Sequence, residues 1–166
     1  MLSAMQVGKY ILDKDTDKAV FTRDKIIIKD KEYIDGNIRI NEYLHLAQIL
    51  YMALENDVLF MDDLYAYDGG VIIMETFENY SAIVYEKPAG FFEFPKKKKQ
   101  FVNKIYEYLK PMTTQKILNL SHMDKEWQEK SQLILSHYRC MNPMIMVSDY
   151  RQTYVDVIRD LHKVII

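Results

Sequence analysis

The sequence predicts a mainly α fold of the α+β class, a single compact multi-helix domain with a small antiparallel β element near the N-terminus. Apolar residues recur at helical spacing along most of the chain, while β-formers crowd one stretch at about 19–40. The length, 166 residues, is that of one core. A chain of this size buries about 70% of its unfolded surface and needs no disulfide or metal to hold it together.

Ser3 is a natural N-cap for a helix over 3–12, in which Met5, Tyr10, Ile11 and Leu12 are apolar. A polar break at 13–18 follows. Val20, Phe21, Ile26, Ile27, Ile28, Tyr33, Ile34, Ile38 and Ile40 then favour strands, punctuated by Arg23-Asp24, Asp30-Lys31 and Asp35-Gly36-Asn37. Two or three short strands are expected there, packed on helices because so small a sheet is marginal alone. Asn41 suits the N-cap of a helix over about 42–55, with Leu44, Ala47, Leu50, Tyr51 and Leu54 on one face.

Asp62-Asp63 precede a short turn at 64–67, Gly69-Gly70 interrupt, and 71–80 reads as helix with Val71, Met74 and Phe77 aligned. An irregular stretch, 81–94, ends in Phe91-Phe92-Glu93-Phe94. Pro95 fits the first position of a helix running to about Leu109, which Pro111 stops. Thr113 caps a short helix through Leu120, and Asp124 caps a helical turn holding Trp127. The last helix is expected from Ser148 or Asp149 to about Val164, with Tyr150, Tyr154, Val157, Ile158 and Leu161 in phase.

Charge and cysteine usage narrow the function. With 22 basic and 24 acidic residues the net charge is −2, which fits neither a generally basic nucleic-acid binder nor an extreme acidic mimic. One cysteine, Cys140, suits a reducing compartment. The first residues lack the pattern of a signal peptide, and no run approaches about 18 apolar residues, so the expected location is cytoplasmic, away from membranes. Thirteen Tyr, seven Phe and ten Met suit an aromatic core and also a protein-binding surface.

No phosphate-binding loop, nucleophile elbow or zinc-protease helix is present in the sequence. His45, His122, His137 and His162 lack metal-ligand spacing, and His122, Asp124 and Glu126 read as a surface turn. Cys140 reads as an inert, partly buried thiol. No enzyme, cofactor or metal is therefore expected. Lys96, Lys97, Lys98 and Lys99 form a basic patch at a helix start, where the helix dipole disfavours cations. It reads as a solvated first turn; a nucleic-acid contact flanked by Phe92 and Phe94 is the alternative.

Two segments carry a more specific pattern. Leu50 and Tyr51 lie in the helix at 42–55, followed by Leu59-Phe60, then Ala66-Tyr67 and Gly69-Gly70-Val71-Ile72. Later come Leu120-Ser121-His122 and Trp127. In order and spacing this resembles the Panacea domain, the antitoxin family that includes SocA-like and GepA-like phage-associated proteins. The similarity covers most of 42–130. Gly70 stands where the family usually has Pro, Tyr67 where Trp is usual, and the 19–40 segment looks like an inserted β-hairpin in a single Panacea-like domain over 1–166.

The resemblance implies a protein-binding module, an antitoxin that neutralises a toxin by direct binding or by delivering it to a host protease complex. Tyr67, Gly69, Gly70 and His122 are the partner-binding candidates, and Trp127, Tyr51 and Phe60 the structural anchors. The local chemistry also allows His122 and Trp127 to hydrogen-bond across to the Gly69-Gly70 turn. Two alternatives stand beside this reading. One is a prophage or mobile-element inhibitor of another host protein such as a defence nuclease. The other is a nucleic-acid-binding regulator using the Lys96–Lys99 patch, although nucleic acid is not the expected partner.

Overall fold

Helix α1, Ala4–Lys14, starts on a capping box in which Ser3 Oγ accepts from the Gln6 amide (3.1 Å) and Gln6 Oε1 from the Ser3 amide (2.9 Å). The structure, a computed structural model, describes residues 1–85, 92–132 and 138–165; the expectations for Phe91 and His137 lie outside them. After α1, the buried carboxylate of Asp15 accepts from the amides of Ala19, Val20 and Phe21 and folds the polar break back on itself.

The β element is a two-stranded antiparallel hairpin, β1 (Lys25–Ile28) and β2 (Lys31–Ile34). Its turn residues, Lys29 and Asp30, both have positive φ, 51° and 65°, the signature of the type I′ turn that matches strand twist. Ile26, Ile28 and Tyr33 pack inward beside Ile38, Tyr67, Ile72 and Leu118.

The next element corrects the reading from sequence. Helix α2 runs from Asp35 to Glu55, so Ile38 and Ile40 belong to a helix and Asn41 lies inside it rather than at its cap. Every residue from Ile38 to Ala53 is buried. A strand reading of Ile38 and Ile40 rested on β-branched residues, whose weak preference yields to burial in a helix surrounded by protein. Asn56, with φ 52°, ends α2 in a left-handed cap.

Beyond α2 the chain forms a second hairpin, β3 (Tyr65–Tyr67) and β4 (Gly70–Ile72), paired Tyr65 to Ile72 and Tyr67 to Gly70. Residues 71 and 72 are thus strand, and helix resumes only at α3 (Met74–Glu78) and α4 (Tyr80–Tyr85). Helix α5 spans Lys96–Leu109 with Pro95 in the cap position, one residue outside the expected start. Thr113 caps α6 (Thr114–Ser121), its hydroxyl accepting from the Lys116 amide, and α7 (Lys125–Gln132) follows Asp124.

A short strand, β5 (Arg139–Cys140), joins the outer side of β3, giving a sheet in the order β4-β3-β5. After a 3-10 turn at Pro143–Met146 the expected last helix is two: α8 (Val147–Thr153) and α9 (Val155–His162). Tyr154 sits between them, fully buried, its hydroxyl donating to Leu120 O at 2.7 Å. Among the described residues nine α-helices surround a core reaching from Leu2 to Leu161, and no helix is long and apolar enough to cross a membrane.

Helix α2 packs against α1, α5, α6, α8 and β4, and its polar side chains meet their main-chain ends. Arg39 donates to the carbonyls of Leu109 (3.5 Å), Lys110 (3.1 Å) and Met112 (2.6 Å), where α5 leaves carbonyls without helical partners. Gln48 spans the 59–60 loop, donating to Phe60 O and accepting from the Leu59 amide, each at 2.8 Å. Arg39→Met keeps the stem and removes these donors, and should lower stability by about 2–4 kcal/mol in a urea titration.

Candidate functional site

The two segments that carry the sequence pattern meet in space. Trp127 on α7 donates its indole N–H to Gly70 O (2.7 Å) and Tyr67 O (3.0 Å), and His122 Nε2 lies 2.9 Å from Gly69 O. Since a carbonyl only accepts, His122 carries a proton on Nε2. The two rings stack, with centroids 4.1 Å apart and planes 7° from parallel. His122 and Trp127 therefore grip the β3–β4 hairpin by its carbonyls, as the local chemistry predicted.

From the other side α2 grips the same hairpin by its amides. Glu42 Oε1 accepts from the Val71 amide and Asn41 Oδ1 from the Ile73 amide, both at 2.9 Å. The glycines follow from this closeness. A Cβ on Gly70 would lie 2.5 Å from Glu42 Oε1, and one on Gly69 would meet Ile28 and the ring of Tyr67. Neither has positive φ, so close approach is what the turn asks of them. Any side chain at position 70, proline included, would have to displace Glu42.

The same geometry corrects one expectation. Tyr67 is only 5% exposed, with its ring beside Tyr33 and over its own turn, and Gly69 and Gly70 are buried too. The surface here consists of Asp68 and Met123, with His122 half-buried and Gln128 exposed, its side chain donating to His122 O. Tyr51 and Phe60 lie in the core, 4% and 1% exposed, and Trp127 is half-buried against it.

Below the hairpin is a cluster that sequence reasoning missed. His45, on α2 and fully buried, has Nδ1 2.7 Å from Ser121 Oγ and Nε2 2.8 Å from Asp124 Oδ2. Glu42 Oε2 lies 3.7 Å from Nδ1, an ion-pair distance, and has no hydrogen-bond partner among the described residues. The other oxygen of Asp124 accepts from the Glu126 amide and caps α7. One signal was available: Glu42 and His45 are three apart on a helix and so share a face. Asp124 was read as a cap and as part of a surface turn with His122 and Glu126, and was not linked to His45.

Burial opposes charge on His45, but Asp124 and Glu42 outweigh it and raise the ring to about 9. Burial and the Glu42 charge push the Tyr67 hydroxyl well above its ordinary range, so it stays neutral. Serine, histidine and aspartate are the groups of a hydrolase triad, but here all three are sealed from solvent and no substrate can approach Ser121 Oγ. The chemistry available to them is structural: pairing, capping and charge compensation.

His122, Asp124 and Glu126 diverge. His122 turns to the hairpin, Asp124 to His45, and Glu126, buried, accepts from the Asn142 amide. No group of three metal-binding side chains occurs among the described residues. Cys140 is exposed rather than partly buried, and partial desolvation followed by the Asp63 charge pushes its thiol up. The lysine patch is largely engaged. Lys97 pairs with Glu55, Lys98 donates to Leu59 O (3.3 Å), and Lys99 stands over the Tyr10 ring. Comparison with protein families, curated proteins and solved structures finds no match to this chain.

Two measurements check the site. Trp127→Phe keeps the ring but loses both indole hydrogen bonds, and should cost about 1–3 kcal/mol by chemical denaturation; Trp127→Ala should cost more, about 3–5 kcal/mol. His45 titrates higher folded than the 6.5 of an ordinary histidine, so its contribution is complete below about 6.5 and is lost as pH rises through about 9. That loss is on the order of 3 kcal/mol. The melting temperature should fall across this window, and His45→Gln should flatten that part of the profile.

Proposed function

We propose that this chain is a protein-binding module acting in the cytoplasm, an antitoxin of the Panacea type that neutralises a partner toxin by holding it directly or presenting it to a protease. One observation supports the reading. The segments at 66–72 and 120–127, the two that carry the resemblance, form one unit in which His122 and Trp127 clamp the Gly69-Gly70 turn. The two segments, some fifty residues apart in the chain, thus share one structural unit.

The contact surface in this reading is the outside of the clamp: Asp68 at the tip of the turn, the open edge of His122, and Met123 and Gln128 around it. Met123 is 38% exposed, a large flexible apolar side chain, the chemistry of an interface anchor. Tyr67 acts from beneath, by shaping the turn. The basic patch favours no second reading, since three of its four lysines have protein partners.

The test is co-expression with the product of the adjacent gene. That product expressed alone should arrest growth, and this chain should restore growth and co-purify with it. Met123→Asp should weaken the complex more than about tenfold while leaving the melting temperature unchanged. A neighbour that is neither toxic nor bound removes the antitoxin reading. Binding that survives Met123→Asp removes the proposed surface.

A further inference from the structure

We propose that the proton on His45 locks the β3–β4 hairpin onto α2, and that its loss loosens the hairpin through Glu42 while the contact to Asp124 endures. The inference stands apart from the partner reading and rests on the geometry of the buried cluster.

The ionisable groups around His45 come from each packed element: Glu42 from α2 itself, Asp124 from the link before α7, Glu126 from α7 with Lys130 4.0 Å from it, Tyr150 and Tyr154 from α8 and its junction with α9, and Tyr67 from β3. The phenols are held neutral by burial. His45 thus supplies the positive charge between the carboxylates of Glu42 and Asp124.

Removing the proton does not affect the two carboxylates alike. A neutral ring with its proton on Nε2 still donates to Asp124 at 2.8 Å, and the Ser121 hydroxyl can turn to donate to Nδ1 at 2.7 Å. Both short contacts survive. The attraction across 3.7 Å to Glu42 Oε2 does not, and that oxygen has no hydrogen-bond partner among the described residues. A buried carboxylate without compensation is unfavourable, and it is relieved by moving toward water. Glu42 holds the Val71 amide in the middle of β4, so the hairpin moves with it. Trp127, whose indole donates to two hairpin carbonyls, registers the same event.

The test is an NMR titration from pH about 6.5 to about 10, following the His45 ring, the Val71 amide and the Trp127 indole. Glu42→Gln, which keeps a carbonyl oxygen for the Val71 amide and removes the charge, is titrated alongside. In the parent protein, the Val71 and Trp127 signals should move with the midpoint of His45. In Glu42→Gln they should stay flat over the same range, and the His45 midpoint should fall. Hairpin signals that stay flat in the parent while His45 titrates would overturn the proposal. So would the same step in Glu42→Gln, or a His45 ring that does not titrate in this range. The common midpoint in the parent is decisive by itself if the variant does not fold.

Discussion

The fold depends on one constraint: a helix buried on every side must place each of its polar side chains against a partner. Helix α2 has sixteen consecutive buried residues, from Ile38 to Ala53, and Arg39, Asn41, Glu42, His45 and Gln48 lie among them. Leaving such groups unmatched costs a few kcal/mol each. Each meets a partner on another segment: Arg39 the carbonyls at the end of α5, Glu42 the Val71 amide of β4, Asn41 the Ile73 amide just after it, Gln48 the 59–60 loop, and His45 the side chains of Ser121 and Asp124. The polar residues of α2 therefore fix where the surrounding elements sit, while its apolar residues supply the driving force.

This constraint explains which parts of the molecule were legible in the sequence. Caps were readable because they are local: Ser3, Thr113 and Asp124 each satisfy an amide two or three residues ahead. The fold class and the hairpin near the N-terminus followed from periodicity and β-branched residues. The start of α2 was not legible, since Ile38 and Ile40 favour strand locally and only their surroundings make a helix. The strands at 65–67 and 70–72 were hidden for a similar reason. They are three residues long, and their pairing is stabilised by Trp127, nearly sixty residues further on.

The candidate site was half legible. Tyr67, Gly69, Gly70, His122 and Trp127 were picked out as a group and do come together, but Tyr67 faces inward. A tyrosine beside two glycines reads alike whether its ring covers the turn or leaves it. The distinction lies in Ile28 and Tyr33, which close over it from the other hairpin. His45 escaped notice because a histidine in an apolar helix gives no sign of its partner, and its partner lies 79 residues away.

That separation also orders events during synthesis. Helix α2 is complete in the nascent chain at residue 55, yet Met112 O, Ser121 and Asp124 emerge only 57, 66 and 69 residues later, and Tyr150 and Tyr154 later still. At about 5–20 residues per second the ribosome leaves this apolar, charge-bearing helix uncovered for several seconds. The molecule's centre is made early and enclosed last.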